Sequence, residues 1–156
     1  MNLIDAFDKK IAERLLKAPH HPVMDTLMRV SGRELIFAII FVAWLVAGWK
    51  VLLAAAVGWI VSVVIEFIIR RPRPFKALHH KPRARYWVPT PSFPSTHTTI
   101  SFACAAFAFA VSPTVGIILG ILASLVAIAR VYAGVHYISD VVAGMILGIA
   151  IRWWLW

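Results

Sequence analysis

One cysteine and seven acidic side chains are all that this 156-residue chain has of either kind. The lone Cys104 excludes an intrachain disulfide, and its place inside an apolar run gives it a packing role. The scarcity of carboxylates excludes an oxygen-ligated pair of catalytic metals, because only Glu66 and Asp140 fall near the basic motifs described below. Charged residues of any sign are also few. They make up 15% of the chain against 61% hydrophobic residues, with a mean hydropathy of +0.81, which excludes an ordinary soluble domain. A short basic leader is missing too, since about thirty polar and amphipathic residues precede the first apolar run. Insertion into the bilayer is therefore expected to use the internal spans.

What the chain does have is apolar length and positive charge. Runs at 35–49, 51–69, 98–111, 114–129 and 135–156 predict an all-α, polytopic transmembrane bundle of five spans, with residues 1–156 forming a single domain. Several runs are short against the ~20 residues of a usual span, and flanking residues extend them into the interface. Leu3, Ile4, Phe7, Ile11, Leu15 and Leu16 recur at helical spacing within an N-terminal amphipathic segment, residues 1–33, which predicts a helix either lying in the interface or packed on the bundle through protein contacts. The net charge of +9 would suggest nucleic acid in a soluble protein. Here the cations cluster beside apolar spans, so the lipid bilayer is the expected partner and nucleic acid is not.

Threading five spans antiparallel brings the end of the second, the start of the third, the end of the fourth and the start of the fifth to one face. That face carries a long connection, residues 70–96, rich in arginine and proline and read as an active-site loop. Tyr86 and Trp87 within it suit headgroup depth. Gly116 with Gly120, and Gly144 with Gly148, permit close helix approach, either within one chain or along a homo-oligomeric seam.

Three polar blocks meet on the motif face: Arg71-Pro72-Arg73-Pro74, then Pro94-Ser95-Thr96-His97, then Arg130 with His136 and Asp140. Arg71 and Arg73, set in extended backbone by the following prolines, suit phosphate clamps. Arg130 ends an apolar span and is costly there unless it faces a polar site. Ser95 stands at a helix start, where unpaired N–H groups favour anions, and serves as N-cap, phosphate donor or both. His97 fits a general acid. His136 and Asp140, placed i and i+4 on a helix starting after Gly134, share a face, so the carboxylate orients one ring nitrogen and leaves the other as a nucleophile. No cofactor and no metal is implied.

Together the blocks resemble the signature of the type 2 phosphatidic acid phosphatase (PAP2) superfamily, which reads Lys-x6-Arg-Pro, Pro-Ser-Gly-His and Ser-Arg-x5-His-x3-Asp. The resemblance runs from Glu66 to Asp140 in order and spacing. It implies that Arg73 and Arg130 hold phosphate oxygens with help from Ser95 and Thr96, that His136 becomes a phosphohistidine oriented by Asp140, and that His97 protonates the leaving oxygen. Three positions depart from the pattern: Glu66 stands for lysine, Thr96 for glycine and Ala129 for serine. Glu66 is read as orienting Arg70 or Arg73, or as receiving a polar headgroup beside the phosphate.

The function expected on this reading is metal-independent hydrolysis of a lipid phosphomonoester or pyrophosphate. Bacterial members of the family act on undecaprenyl pyrophosphate, phosphatidylglycerol phosphate, phosphatidic acid or the 1-phosphate of lipid A. The competing class is a non-catalytic membrane anion or lipid transporter using the same basic cluster. Location in a bacterial inner membrane is implied. Of the sixteen Lys and Arg residues only Lys50 and Arg152 thread to the opposite face, which favours a cytoplasmic site. Cell-envelope substrates imply an outward, periplasmic site, and that is the orientation expected.

Overall fold

The computed structural model describes residues 3–83 and 90–155, so Tyr86 and Trp87 lie outside the described residues. Eight helices and no strand occur among them: α1 Leu3–Lys17, α2 Pro22–Arg33, α3 Leu35–Ala47, α4 Lys50–Ile69, α5 Pro74–Ala77, α6 Thr96–Val111, α7 Pro113–Tyr132 and α8 Ile138–Leu155. The protein is an all-α membrane bundle. Each expected apolar run is a helix, and their breaks have local causes. Gly48 closes α3 with φ 73°, a left-handed value that glycine adopts without Cβ strain. Pro113 starts α7 at a position where its missing N–H costs nothing.

By length and apolarity α4, α7 and α8 are sufficient to cross a membrane, and α2 with α3 would make a fourth crossing as one span bent by 42°. The sixteen residues of α6 rise only about 24 Å, less than the ~30 Å hydrocarbon core. That helix is nevertheless the centre of the bundle, packed against α3, α4, α7 and α8 and burying Cys104 and Phe107 completely. Large side chains of the surrounding helices, such as Phe37, Ile68, Ile121, Ile146 and Trp153, point outward, as a lipid-facing surface requires.

One boundary differs from expectation. The fifth apolar run begins its helix at Ile138, so His136 lies in the connection before α8 and not on the helix with Asp140. Two interactions hold the helix start there. Gly134 takes φ 72° under Leu16 of α1, and Asp140 accepts the Tyr137 backbone N–H at 2.8 Å from the third helical position, one half of a capping box.

The N-terminal helix is docked in an unexpected sense. Leu3, Ile4 and Phe7 of α1 are exposed while Asp8 and Ala12 are buried and Ile11, Leu15 and Leu16 half-buried, so the helix docks through a mixed face that includes an acidic side chain.

Of the glycines expected at close approaches, Gly116 sits on Phe109, Gly144 on the Ser95 carbonyl and Gly148 on the Thr99 carbonyl, whereas Gly120 faces open space. Three of the four therefore serve packing within the chain. A Cβ at Gly148 would fall 2.4 Å from the Thr99 oxygen and 2.9 Å from the Ala103 nitrogen, both backbone atoms that cannot rotate away. Gly148→Leu should force α8 off α6 and cost about 1–3 kcal/mol or more. The check is thermal unfolding of purified protein in detergent, where Gly120→Leu serves as control with little change expected.

Candidate active site

The site is assembled from four helix ends. At the end of α4 the chain turns at Arg70, whose φ of 53° stops the helix, and Pro72 and Pro74 then hold Arg71 and Arg73 extended. Arg73 is thereby aimed inward. Its Nε donates to the Thr90 carbonyl at 2.9 Å, Nη2 to the Thr90 hydroxyl at 3.1 Å, and Nη1 to the Val135 carbonyl at 3.0 Å. The same Nη1 lies 3.0 Å from His136 Nε2.

The tautomer of His136 follows from its partners. Nδ1 is 2.8 Å from the Ser92 carbonyl, which can only accept, so Nδ1 carries the proton and Nε2 holds a lone pair toward Arg73. Burial, reinforced by the nearby charges of Arg73 and Arg130, holds the His136 imidazole well below the usual histidine range. The ring is therefore neutral at neutral pH and its free nitrogen faces cations. Asp140, expected to accept a hydrogen bond from one ring nitrogen, has its Oδ2 3.6 Å from Nδ1, too far for that bond, and the Ser92 carbonyl takes the contact.

Arg130 is buried at the end of α7 and donates Nη1 to the Gly32 carbonyl at 3.2 Å. Opposite these groups is the first turn of α6. Ser95 is its N-cap residue by backbone, yet makes no side-chain cap. Its hydroxyl instead accepts from Thr98 at 3.0 Å, and its N–H donates to the Asp140 carbonyl at 3.0 Å. Thr96 donates its hydroxyl to Glu66 at 2.8 Å. His97 follows in the same turn, within electrostatic reach of Arg130, His136 and Arg73.

A cleft of about 570 Å³ joins these groups. Its polar end is formed by Glu66, Arg73, Thr90, Thr96, His97, Arg130 and His136, while Ile36, Phe37, Ile40, Trp59 and Val63 of α3 and α4 supply an apolar wall. Two guanidiniums, a neutral imidazole and a second histidine at a helix N-terminus are suited to a tetrahedral oxyanion whose substituent is a hydrocarbon chain. Among the described residues no three His, Cys, Asp or Glu side chains gather as a metal site would need.

Two expected assignments are corrected. Arg71 does not line the cleft: Nη1 donates to Ser139 Oγ and Asp140 Oδ1, both at 2.6 Å, Nη2 to Asp5 at 3.2 Å and Asp8 at 2.9 Å, and its guanidinium lies 4.2 Å from the centre of the Tyr137 ring. With both terminal nitrogens engaged by carboxylates, it braces Asp140 from behind the site in place of clamping a phosphate. Of the two arginines expected beside Glu66, Arg70 is exposed and donates Nε to the Phe67 carbonyl at 3.0 Å, while Arg73 is within electrostatic reach. The carboxylate of Glu66 accepts from Thr96, the residue that replaces the family glycine.

Several contributors escaped the sequence reading. Ser92 and Val135 act through carbonyls, which any residue carries and no motif reveals. Asp8 is buried and engages Ser139, with Oδ1 taking its N–H at 3.2 Å and Oδ2 its hydroxyl. A signal for it existed, since Asp5 and Asp8 put two of the seven acidic residues three apart on one helix face. Arg83 is a further anchor, donating to the Leu15 carbonyl of α1, to the Ala18 carbonyl just after it, to Asp25 at 3.2 Å and to the Tyr132 hydroxyl at 3.0 Å.

Comparison with known proteins places this geometry. Decaprenylphosphoryl-5-phosphoribose phosphatase of Mycobacterium tuberculosis is 37% identical over 109 residues, 67% of this chain and 55% of that protein. The bacitracin transport permease protein BcrC of Bacillus licheniformis is 41% identical over 58 residues, 37% of this chain and 29% of that protein. The chain thus spans about half the length, or less, of the curated relatives it matches. Two crystal structures share the fold: Aquifex aeolicus LpxE, with TM-score 0.77 and 22% identity over 99% of this chain and 98% of that one, and a transmembrane PAP2-type phosphatidylglycerolphosphate phosphatase of Bacillus subtilis, with TM-score 0.74 and 24% identity over 99% and 85%. The family model of the PAP2 superfamily matches residues 47–156, which include every polar group of the cleft, and the chain belongs to that superfamily.

Proposed function

We propose that this protein is a metal-independent lipid phosphatase working through a phosphohistidine. The observation that carries the reading is the fixed lone pair of His136 Nε2, set by the Ser92 carbonyl and facing Arg73 inside a cleft with an apolar wall. Nε2 attacks phosphorus as Arg73 and Arg130 gather the charge of the equatorial oxygens. The bond to the leaving oxygen breaks, and that oxygen takes its proton from His97. Asp140 steadies the positive charge that grows on the ring. Water then attacks the phosphohistidine, giving its proton to His97 and releasing phosphate.

The apolar wall contributed by Ile36, Phe37, Ile40, Trp59 and Val63 fits the chain of a lipid phosphate presented from the bilayer. Phosphomonoesters and pyrophosphates both fall within the reading. Related proteins carry names that include a lipid-linked sugar phosphate and phosphatidylglycerolphosphate. The protein is assigned to a bacterial inner membrane with the site facing outward. A transport role, which the name of one relative carries, needs cations and donors but no oriented nucleophile. The His136 geometry favours turnover.

His136→Ala should lower phosphate release by roughly a thousand-fold or more, because no neighbouring group replaces the nucleophile. His97→Ala should cost about 10²–10⁴-fold, most on substrates with poor leaving groups. Both are read as phosphate release from a lipid phosphate in detergent. Substantial turnover by His136→Ala would rule out the covalent route.

Activity should also withstand a chelator and be inhibited by vanadate. Loss of turnover in EDTA, restored by Mg²⁺, would replace the proposed chemistry with a metal-assisted one.

The pH dependence has a definite sign. Because His136 is held below the ordinary imidazole range, it stays unprotonated as pH falls through about 6.5. The acid limb of kcat/KM, which reports free-enzyme groups, should therefore lie below about 6.5. A limb at or above that value would contradict the neutral nucleophile.

A further inference from the structure

Glu66 is the one carboxylate lining the polar end of the cleft and stands where the family pattern has a lysine. It is 2% exposed, accepts the Thr96 hydroxyl at 2.8 Å, and has Thr90, Arg73 and Arg130 as its other neighbours. A carboxylate offers about four lone-pair directions, and the Thr96 and Thr90 hydroxyls occupy two, which leaves acceptor capacity for a ligand. The next residue after Thr96 is His97. His97 lines the same cleft as Glu66 and Thr96, so an alcohol that takes its proton from His97 leaves within the space bounded by that pair.

Charge sharpens the point. Arg73 and Arg130 with Glu66 leave one net positive charge among the ionised groups of the cleft, where lysine in place of Glu66 would leave three. A phosphomonoester brings roughly two negative charges at most. A diphosphate would add a second phosphoryl group on the leaving side, against the carboxylate, where a like charge is repelled. A hydroxyl on the leaving alcohol, by contrast, finds an acceptor in the same place.

We propose that Glu66 and Thr96 form a hydroxyl-reading subsite for the leaving alcohol, making phosphomonoesters of polyol headgroups the substrates and excluding diphosphates. The assignment rests on the phosphatase reading and goes beyond it by naming the substrate class. Its basis is the direct carboxylate–threonine bond inside the cleft. Two of the three departures from the family pattern, Glu66 and Thr96, are thus one device.

The test measures kcat/KM of the full chain in detergent on three probes. Phosphatidylglycerol phosphate has a free hydroxyl beside the ester, phosphatidic acid has none, and undecaprenyl pyrophosphate is a diphosphate. Wild type should favour the first over the third by roughly 100-fold, as sites built to pair a hydroxyl discriminate strongly. Glu66→Gln keeps an acceptor for Thr96 and removes the charge, so it should narrow that ratio to about tenfold or less. Glu66→Lys should reverse it. A wild-type preference for the diphosphate would overturn the subsite, and so would an equal loss on all three probes in Glu66→Gln, the pattern of a residue that only orients Arg73. If wild type hydrolyses none of the three, the phosphatase reading falls and this one with it. Turnover with an unmoved ratio in both variants removes the subsite alone.

Discussion

The guanidinium of Arg71 is the contact on which the rest of the site depends. It bridges Asp8 of α1 to Asp140 of α8 and rests on Tyr137, so the segment after α4, the first helix and the last helix share one buried charge cluster. Arg71 also fixes the loop through its backbone, accepting the Ser92 N–H at 2.9 Å. Asp140, held by Arg71, in turn holds the Tyr137 N–H and with it the start of α8. His136 is the residue before Tyr137, and its Nδ1 partner is the carbonyl of Ser92. The backbone beside His136 and the Nδ1 side of its ring are thus referred to one arginine, while Arg73 meets the Nε2 side. Removing a single partner from such a buried pair typically costs about 3–5 kcal/mol, because a charge is left behind without compensation.

This arrangement explains the orientation of α1. An amphipathic helix at a membrane surface has two places to put its polar side, water or protein. Here Asp8 finds Arg71 and Ser139, and desolvating the carboxylate is offset by charge-assisted hydrogen bonds. Leu3, Ile4 and Phe7 are exposed on the side that can meet the lipid interface. The periodicity that marks α1 as amphipathic is real, but the direction of burial is set by a partner more than sixty residues away. Leu16 settles the other end of the helix, lying over Gly134 where a side chain would not fit.

The parts legible in sequence are those with a period or a spacing. Apolar runs marked the helices, and the order of their ends brought Glu66, Arg73, Thr96, His97, Arg130 and His136 to one place. What stayed hidden depends on side-chain direction and on backbone groups. Arg71 and Arg73 look equivalent in an Arg-Pro-Arg-Pro run, yet one meets carboxylates from α1 and α8 and the other meets His136. Helical spacing suggested a direct His136–Asp140 bond, but the helix begins two residues after the histidine, and a carbonyl from the long connection takes the contact. Glu66 could not be matched to Thr96 by any local rule, since thirty residues separate them.

The long connection is pinned on both sides of the stretch 84–89. On one side Arg83 is tied by its N–H to Ala133 and by its guanidinium to α1, Asp25 and Tyr132. On the other, Thr90 is held by Arg73 and Ser92 by Arg71. The two described flanks are thus each fixed to the helices by contacts of their own, so the positions of Arg73 and of the Ser92 carbonyl do not depend on a single shared tether.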